Sequence, residues 1–174
     1  MIYVLAYPKF SKKVGRAIAE FRAEHEPERA AMVRAHITLV FGLSGLNENE
    51  FCEQCRQVAI PLEPIEFSFS NILIHKDPVE HNYKLVANVD TGTDKITKVH
   101  NAMYVGPQSS QLRSDIPYQP HMTIATNSKF EQIEAIKTRS LSVHFPLSGV
   151  IERIGVVRLE QNIVTKMAEI YLKK

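Results

Sequence analysis

The sequence His-Ile-Thr-Leu at residues 36–39 returns almost unchanged as His-Met-Thr-Ile at residues 121–124. Each tetrapeptide, named motif 1 and motif 2 in chain order, lies in a short apolar run that is typical of a β-strand. Because strand side chains alternate between two faces, the histidine and threonine of each motif should share one face, and its two apolar residues the other. Each motif therefore predicts a strand with an imidazole–hydroxyl pair on one face and a core-facing pair on the other.

The two motifs lie about half the chain length apart, and the segments around them repeat one order of elements. In each half a helix and a loop precede the motif strand, and a further helix and paired strands follow it. We interpret this as a degenerate internal duplication that produces two similar α+β lobes facing each other. Nothing marks a flexible linker, so we predict a single bilobal domain over residues 1–174 with one motif in each lobe.

The overall composition, 44% hydrophobic and 23% charged, is ordinary for a globular protein. A formal net charge of +2 gives no large basic field for long duplex nucleic acid and leaves a small anionic ligand or a short RNA end as the expected partner. The apolar residues 1–7 lack the basic start of a signal peptide, and no apolar run is long enough to span a bilayer. We expect a cytoplasmic protein with no membrane partner and no stable protein partner.

Two cysteines, Cys52 and Cys55, have the Cys-x-x-Cys spacing of redox and zinc sites. A structural zinc site needs a second ligand pair at matching spacing, and the sequence offers none. Both thiols lie near a helical stripe formed by Phe51, Cys55, Val58 and Ala59, which favours core cysteines. The histidines outside the motifs also lack the spacing of a metal site, so we predict no metal and no cofactor.

Other histidines have simpler interpretations. His100 lies on the apolar stripe of a predicted helix and is expected to be a core histidine. His25 is near a helix C-terminus, where a positive charge is favourable. His75 and His81 flank a predicted turn.

Two imidazoles facing each other across a cleft suit acid–base chemistry at phosphorus. In an in-line displacement the attacking and leaving oxygens lie on opposite sides of the phosphorus, so one ring can take a proton from water while the other protonates the leaving oxygen. An unperturbed pKa near 6.5 lets one ring be neutral and the other charged near neutrality. Threonine hydroxyls can donate to the non-bridging oxygens, where charge accumulates. The near-symmetric motifs leave open which ring is the base.

Taken together, the two motif strands, one in each half, resemble the two-histidine (2H) phosphoesterase superfamily, which contains bacterial 2'-5' RNA ligase-like proteins and cyclic phosphodiesterases. Motif 2 is the closer match, since Pro120 stands where a proline often precedes this histidine, whereas motif 1 has Ala35 there. The resemblance spans essentially the whole chain. It implies an α+β fold with two antiparallel sheets related by a pseudo-twofold axis, flanking helices and a central cleft.

The same resemblance implies that His36 and His121 are catalytic and that Thr38 and Thr123 bind phosphate oxygens. It implies metal-independent opening of a 2',3'-cyclic phosphate on an RNA end or a nucleotide. Some relatives join RNA ends in the reverse direction, so a 2'-5' RNA ligase is one alternative. A non-catalytic protein that binds RNA ends or nucleotides is another, although binding alone would not require both intact motifs.

Further substrate contacts are expected in the loop before motif 2. This loop contains Arg113 and Tyr118, and the tyrosine ring could stack on a base or its hydroxyl contact phosphate. The alternative is that the arginine is solvated and the tyrosine packs locally. We predict both as substrate-binding residues.

Overall fold

The computed structural model describes residues 1–77, 80–139 and 145–173, and within them it has seven strands and five helices. The strands are β1 (Ile2–Lys9), β2 (Ile37–Leu43), β3 (Ile65–Lys76), β4 (Tyr83–Val89), β5 (His121–Asn127), β6 (Leu147–Glu160) and β7 (Ile163–Tyr171). The helices are α1 (Lys12–His25), α2 (Pro27–Met32), α3 (Glu48–Ala59), α4 (Thr93–Met103) and α5 (Phe130–Arg139), with a 3-10 turn at Pro107–Gln111. None of the helices in these ranges is long and apolar enough to cross a membrane.

The strands pair antiparallel in the order β2-β1-β6-β3-β4-β5, and β7 also pairs with β6. The long strand β6 connects the two lobes, because its first residues pair with β3 and its later residues with β7, while β1 runs along its other edge. Lobe A consists of β2, β1, β7 and the later part of β6. Lobe B consists of β3, β4, β5 and the first part of β6. The predicted antiparallel α+β class is confirmed. The two expected sheets are joined along β3 and β6 into one hydrogen-bonded sheet, since β6 is long enough to serve both lobes.

The duplication is visible in the order of elements. The series β1-α1-β2-α3-β3 is followed by β4-α4-β5-α5-β6, with the short α2 inserted only in the first copy. The first helix of each copy packs on the motif strand of the other, α1 against β5 and α4 against β2. The motif strands β2 and β5 also contact each other, although they are at opposite ends of the strand order. These crossings support our proposal that the chain forms one bilobal domain.

The apolar residues of both motifs belong to the core. Ile37, Leu39, Met122 and Ile124 are at most 2% exposed, as strand alternation predicts. The two cysteines of α3 are also buried and carry free thiols, which confirms their interpretation as core residues.

A β-bulge occurs at the same position in each motif. The ladder between β1 and β2 skips Leu39, and the ladder between β4 and β5 skips Ile124. Each skipped residue follows the motif threonine directly. Bulges increase local twist and redirect neighbouring side chains, and they are frequent beside active sites. The repeated bulge therefore gives both motifs the same backbone irregularity next to their polar pairs.

Candidate active site

The two motif histidines make the same local hydrogen bond. His36, just before β2, donates from Nδ1 to the carbonyl oxygen of Arg34 at 2.7 Å. His121, at the start of β5, donates from Nδ1 to the carbonyl oxygen of Gln119 at 2.8 Å. A carbonyl oxygen only accepts, so Nδ1 carries a proton in both rings. In each ring Nε2 is therefore the nitrogen that can accept a proton when the ring is neutral and donate it when the ring is charged.

The charge of His121 acts on the pKa of His36. Burial lowers the pKa of His36 from 6.5 to about 4, against the opposing effect of its hydrogen bond to Arg34. Positive charges add to this lowering, and they come from Arg22, His121 and Arg29. Burial likewise lowers the pKa of His121. The two sequence-distant imidazoles, which belong to motifs on contacting strands, are thus close enough for the charge of one to affect the other.

The motif threonines lie on the same strand faces as the histidines. Thr38 pairs with Leu5 of β1, and Thr123 pairs with Val86 of β4. The histidine and the threonine of each motif are partly exposed, whereas the apolar residues between and after them are buried. Each motif therefore presents an imidazole and a hydroxyl together on an accessible face.

Helix α4 binds the free edge of β2, the strand of motif 1. His100 donates from Nδ1 to the carbonyl oxygen of Leu39 at 2.6 Å, and the amide of Phe41 donates to the hydroxyl of Tyr104 at 3.1 Å. His100 is 3% exposed, which confirms its prediction as a core histidine. These hydrogen bonds satisfy backbone groups of β2, which is an edge strand within the described residues, and one of them acts directly on the bulged Leu39.

Tyr118 and Arg113, both predicted to bind substrate, have different surroundings. The hydroxyl of Tyr118 donates to the carbonyl oxygen of Thr38 at 2.9 Å, and its ring stacks on His100 with centroids 3.7 Å apart. Burial raises the pKa of Tyr118. Arg113 is exposed and donates to both carboxylate oxygens of Asp115, at 2.8 and 2.7 Å. Among the described residues, no hydrogen bond or ion pair joins Arg113 to either motif, and the substrate roles of both residues stay predictions.

Helix α1 ties the segments of both motifs to one buried ion pair. Arg22 and Glu26, one turn apart, are 4% and 5% exposed and are paired through Arg22 Nε. Arg22 donates from Nη1 to the carbonyl oxygen of Val33 at 3.0 Å, three residues before His36. Glu26 accepts from the hydroxyl of Thr126 in β5 at 3.3 Å. The pair thus contacts the chain just before motif 1 and just after motif 2.

His75 is a site residue that sequence reasoning missed. It lies near the end of β3, beside the predicted turn, and its ring centroid is 6.2 Å from that of His121. The pairing of β3 with β4 shifts between Phe69 and Asn71, so Ser70 is bulged. This bulge reverses the alternation, and His75 lies on the open face although it has the parity of the core-facing Phe69. The sequence signal is the pair of consecutive polar residues Ser70 and Asn71, which interrupts the alternation of apolar and polar residues in β3.

The comparison with known families now decides the assignment. A family model described as the 2'-5' RNA ligase superfamily matches residues 10–162, a range that contains both motifs. The chain belongs to this superfamily. Membership confirms the resemblance inferred from the two motifs and gives the chain a phosphoesterase-type function.

Solved structures share the superfamily fold along nearly the whole chain. E. coli LigT complexed with 3'-AMP has a TM-score of 0.62 at 12% identity, covering 99% of this chain and 98% of that chain. E. coli LigT complexed with NADP+ has a TM-score of 0.61 at 13% identity, with the same coverage of 99% and 98%. Usb1 from Kluyveromyces marxianus has a TM-score of 0.57 at 11% identity, covering 95% and 96%. At these identities the likeness establishes the fold, and no curated protein sequence matches the chain significantly.

Proposed function

We propose that this protein hydrolyses 2',3'-cyclic phosphates of RNA ends or nucleotides, with His36 and His121 as the catalytic acid–base pair. The observation that carries the proposal is the matched hydrogen bonding of the two rings. Each ring directs its Nδ1 proton to a carbonyl oxygen two residues earlier and keeps Nε2 for proton exchange. Two such rings on contacting strands supply a base and an acid for one displacement.

The reaction would proceed in line at phosphorus. One neutral Nε2 takes a proton from water as the water oxygen bonds to phosphorus. The other, protonated Nε2 gives its proton to the ribose oxygen as the bond between that oxygen and phosphorus breaks. Thr38 and Thr123 donate hydrogen bonds to the non-bridging oxygens, where negative charge increases. Because the two rings supply both proton transfers, the mechanism uses no metal ion.

Nucleotides as ligands are supported by the solved relatives. E. coli LigT has been crystallised with 3'-AMP and with NADP+, both of which contain a ribose phosphate. Two contacting strands that each present an imidazole and a hydroxyl on an accessible face suit the same chemical class here. We therefore propose RNA ends or cyclic nucleotides as the substrates.

The test is turnover of a nucleoside 2',3'-cyclic phosphate in the presence of a metal chelator. His36→Asn and His121→Asn should each lower kcat by at least about 10²- to 10⁴-fold, the usual contribution of one positioned acid or base. His81→Asn is the matched control, since His81 is exposed and has φ 55, a backbone conformation that asparagine adopts readily. Its activity should equal that of the wild type.

The same assay separates the alternatives. Saturable binding of the cyclic nucleotide without turnover would refute the proposal in favour of a binding protein. A 2'-5' linked product from an RNA end with a cyclic phosphate and a second RNA with a 5'-hydroxyl, without hydrolysis, would refute it in favour of a ligase. Undiminished turnover in the variant with both motif histidines replaced would remove the catalytic pair altogether.

A further inference from the structure

The open face of lobe B continues beyond His121 onto β4 and β3. Asn88 of β4 is the cross-strand partner of His121. The next pair along is hydrogen-bonded, because the amide of Val89 donates to the carbonyl oxygen of Pro120 at 3.0 Å. Asn88 and His121 therefore form a non-hydrogen-bonded pair, in which Cα atoms are closest and side chains stand side by side. The carboxamide of Asn88 is thus a direct neighbour of the imidazole.

Asn88 is buried, and its Oδ1 has no partner. The residue is 6% exposed, and Oδ1 makes no hydrogen bond within the described part of the chain. A buried acceptor without a donor destabilises a protein, so such atoms are rare and call for an explanation. Located next to a proposed catalytic ring, this acceptor is explained if a ligand donates to it.

Several polar side chains share the open face with Asn88, and their charges are largely compensated. Asn71 pairs with Asn88 across β3 and β4, and His75, four residues further along β3, has its ring centroid 6.2 Å from that of His121. Lys84, the cross-strand partner of His75, is held by Asp77 at 2.5 Å. Its charge is therefore compensated locally. A neutral hydroxyl suits this surface better than a phosphate does, because phosphate oxygens are acceptors and Asn88 Oδ1 would repel them.

We propose that Asn88 accepts a hydrogen bond from the ribose hydroxyl that the reaction frees next to the phosphate. This inference rests on the proposed function and identifies which side of the site holds the sugar. In the cyclic substrate both vicinal oxygens are esterified and can only accept hydrogen bonds. When the bond from phosphorus to one of them breaks and that oxygen receives a proton, it becomes a donor. The hydrogen-bond donors of the nucleobase are further from the phosphate than this hydroxyl is.

The position of Asn88 also assigns the two histidines. If the freed hydroxyl lies at Asn88, the leaving oxygen lies beside His121, and His121 is the group that protonates it. His36 then faces the attacking water as the base. The near-symmetry of the motifs is broken by the asparagine on β4.

The experiment uses isothermal titration calorimetry with two pairs of product probes, a nucleoside 3'-monophosphate with its 2'-deoxy form and a nucleoside 2'-monophosphate with its 3'-deoxy form. In the pair that carries the freed hydroxyl, the wild type should bind the ribonucleotide about 2- to 12-fold more tightly than the deoxy form, the ratio expected from one hydrogen bond. In Asn88→Ala this ratio should fall to about one. Asn101→Ala is the control, because Asn101 is an exposed asparagine on α4. It should keep the wild-type ratio.

Three results would overturn the inference, and the first two are distinguishable from the third. Equal binding within both probe pairs by the wild type, or an undiminished ratio in Asn88→Ala, would remove the role of Asn88 while leaving the proposed function intact. Equal binding would arise if the amide nitrogen of Asn88 faced the ligand and donated to phosphate. If no probe binds the wild type, the inference falls together with the proposed function. The wild-type ratio needs no variant, so the test stands even if Asn88→Ala folds poorly.

Discussion

At the scale of single residues, burial lowers the pKa of both motif histidines, which share one hydrogen-bond pattern. The pKa of His36 falls to about 4, and the positive charge of His121 is among the contributing causes. A ring that stays neutral over a wide pH range suits the base. The low pKa of His36 therefore agrees with the role of base that is inferred from the position of Asn88.

The pH dependence of kcat/KM should follow from these two groups. Below about pH 4 His36 is protonated and cannot act as the base. Burial lowers the pKa of His121 below 6.5, so above that pKa the acid has lost its proton. We expect a bell-shaped dependence of kcat/KM on pH, with its acid limb near pH 4 and its alkaline limb below pH 6.5. Steady-state rates on a cyclic nucleotide at constant ionic strength measure it, and an alkaline limb above 6.5 would contradict the lowered pKa of His121.

At the scale of elements, helix α4 and the loop before motif 2 fix the backbone of motif 1. The hydroxyl of Tyr118 donates to the carbonyl oxygen of Thr38, and the ring stacks on His100. Tyr118→Phe removes the hydrogen bond and keeps the stack. If the hydroxyl only holds the backbone of motif 1, the free energy of unfolding should fall by about 0.5–1.5 kcal/mol, the net contribution of one such hydrogen bond, with KM unchanged. Urea denaturation and steady-state kinetics measure the two quantities.

The same variant distinguishes the two interpretations of Tyr118. An unchanged free energy of unfolding together with a raised KM would assign the hydroxyl to substrate. Tyr171→Phe is the control, because Tyr171 is 65% exposed at the end of β7. It should alter neither quantity.

The elements also explain how much of the fold could be predicted from the sequence. The alternation of strand side chains between the two faces of a sheet is a local property. The core-facing positions of Ile37 and Met122 could therefore be predicted from the motifs alone. The bulge at Ser70 is not marked by periodicity, and without it His75 would face the core. The bond from His100 to Leu39 spans 61 residues, so it depends on how α4 crosses to the other lobe. Neither His75 nor His100 lies in a local sequence pattern that indicates its place beside the motifs.

At the scale of the whole molecule, the two lobes depend on side chains that reach both motif segments. The buried pair of Arg22 and Glu26 contacts Val33 before motif 1 and Thr126 after motif 2. A buried ion pair adds little net stability by itself, because both charges lose their hydration. Removing one partner is different, since it leaves the other charge buried and unpaired. We therefore expect the pair to act mainly by holding both segments in place relative to α1.

Arg22→Met tests this role of the pair. It leaves the Glu26 carboxylate unpaired and removes the donor to Val33, so we expect the free energy of unfolding to fall by about 3–5 kcal/mol. The double variant Arg22→Met/Glu26→Leu removes both charges and should recover much of that loss. Arg16→Met is a matched control, because Arg16 and Glu20 form an exposed pair of the same spacing in the same helix. It should leave stability nearly unchanged. Equal losses for the Arg22 and Arg16 variants in urea denaturation would show that α1 does not depend on the buried pair to hold the motif segments.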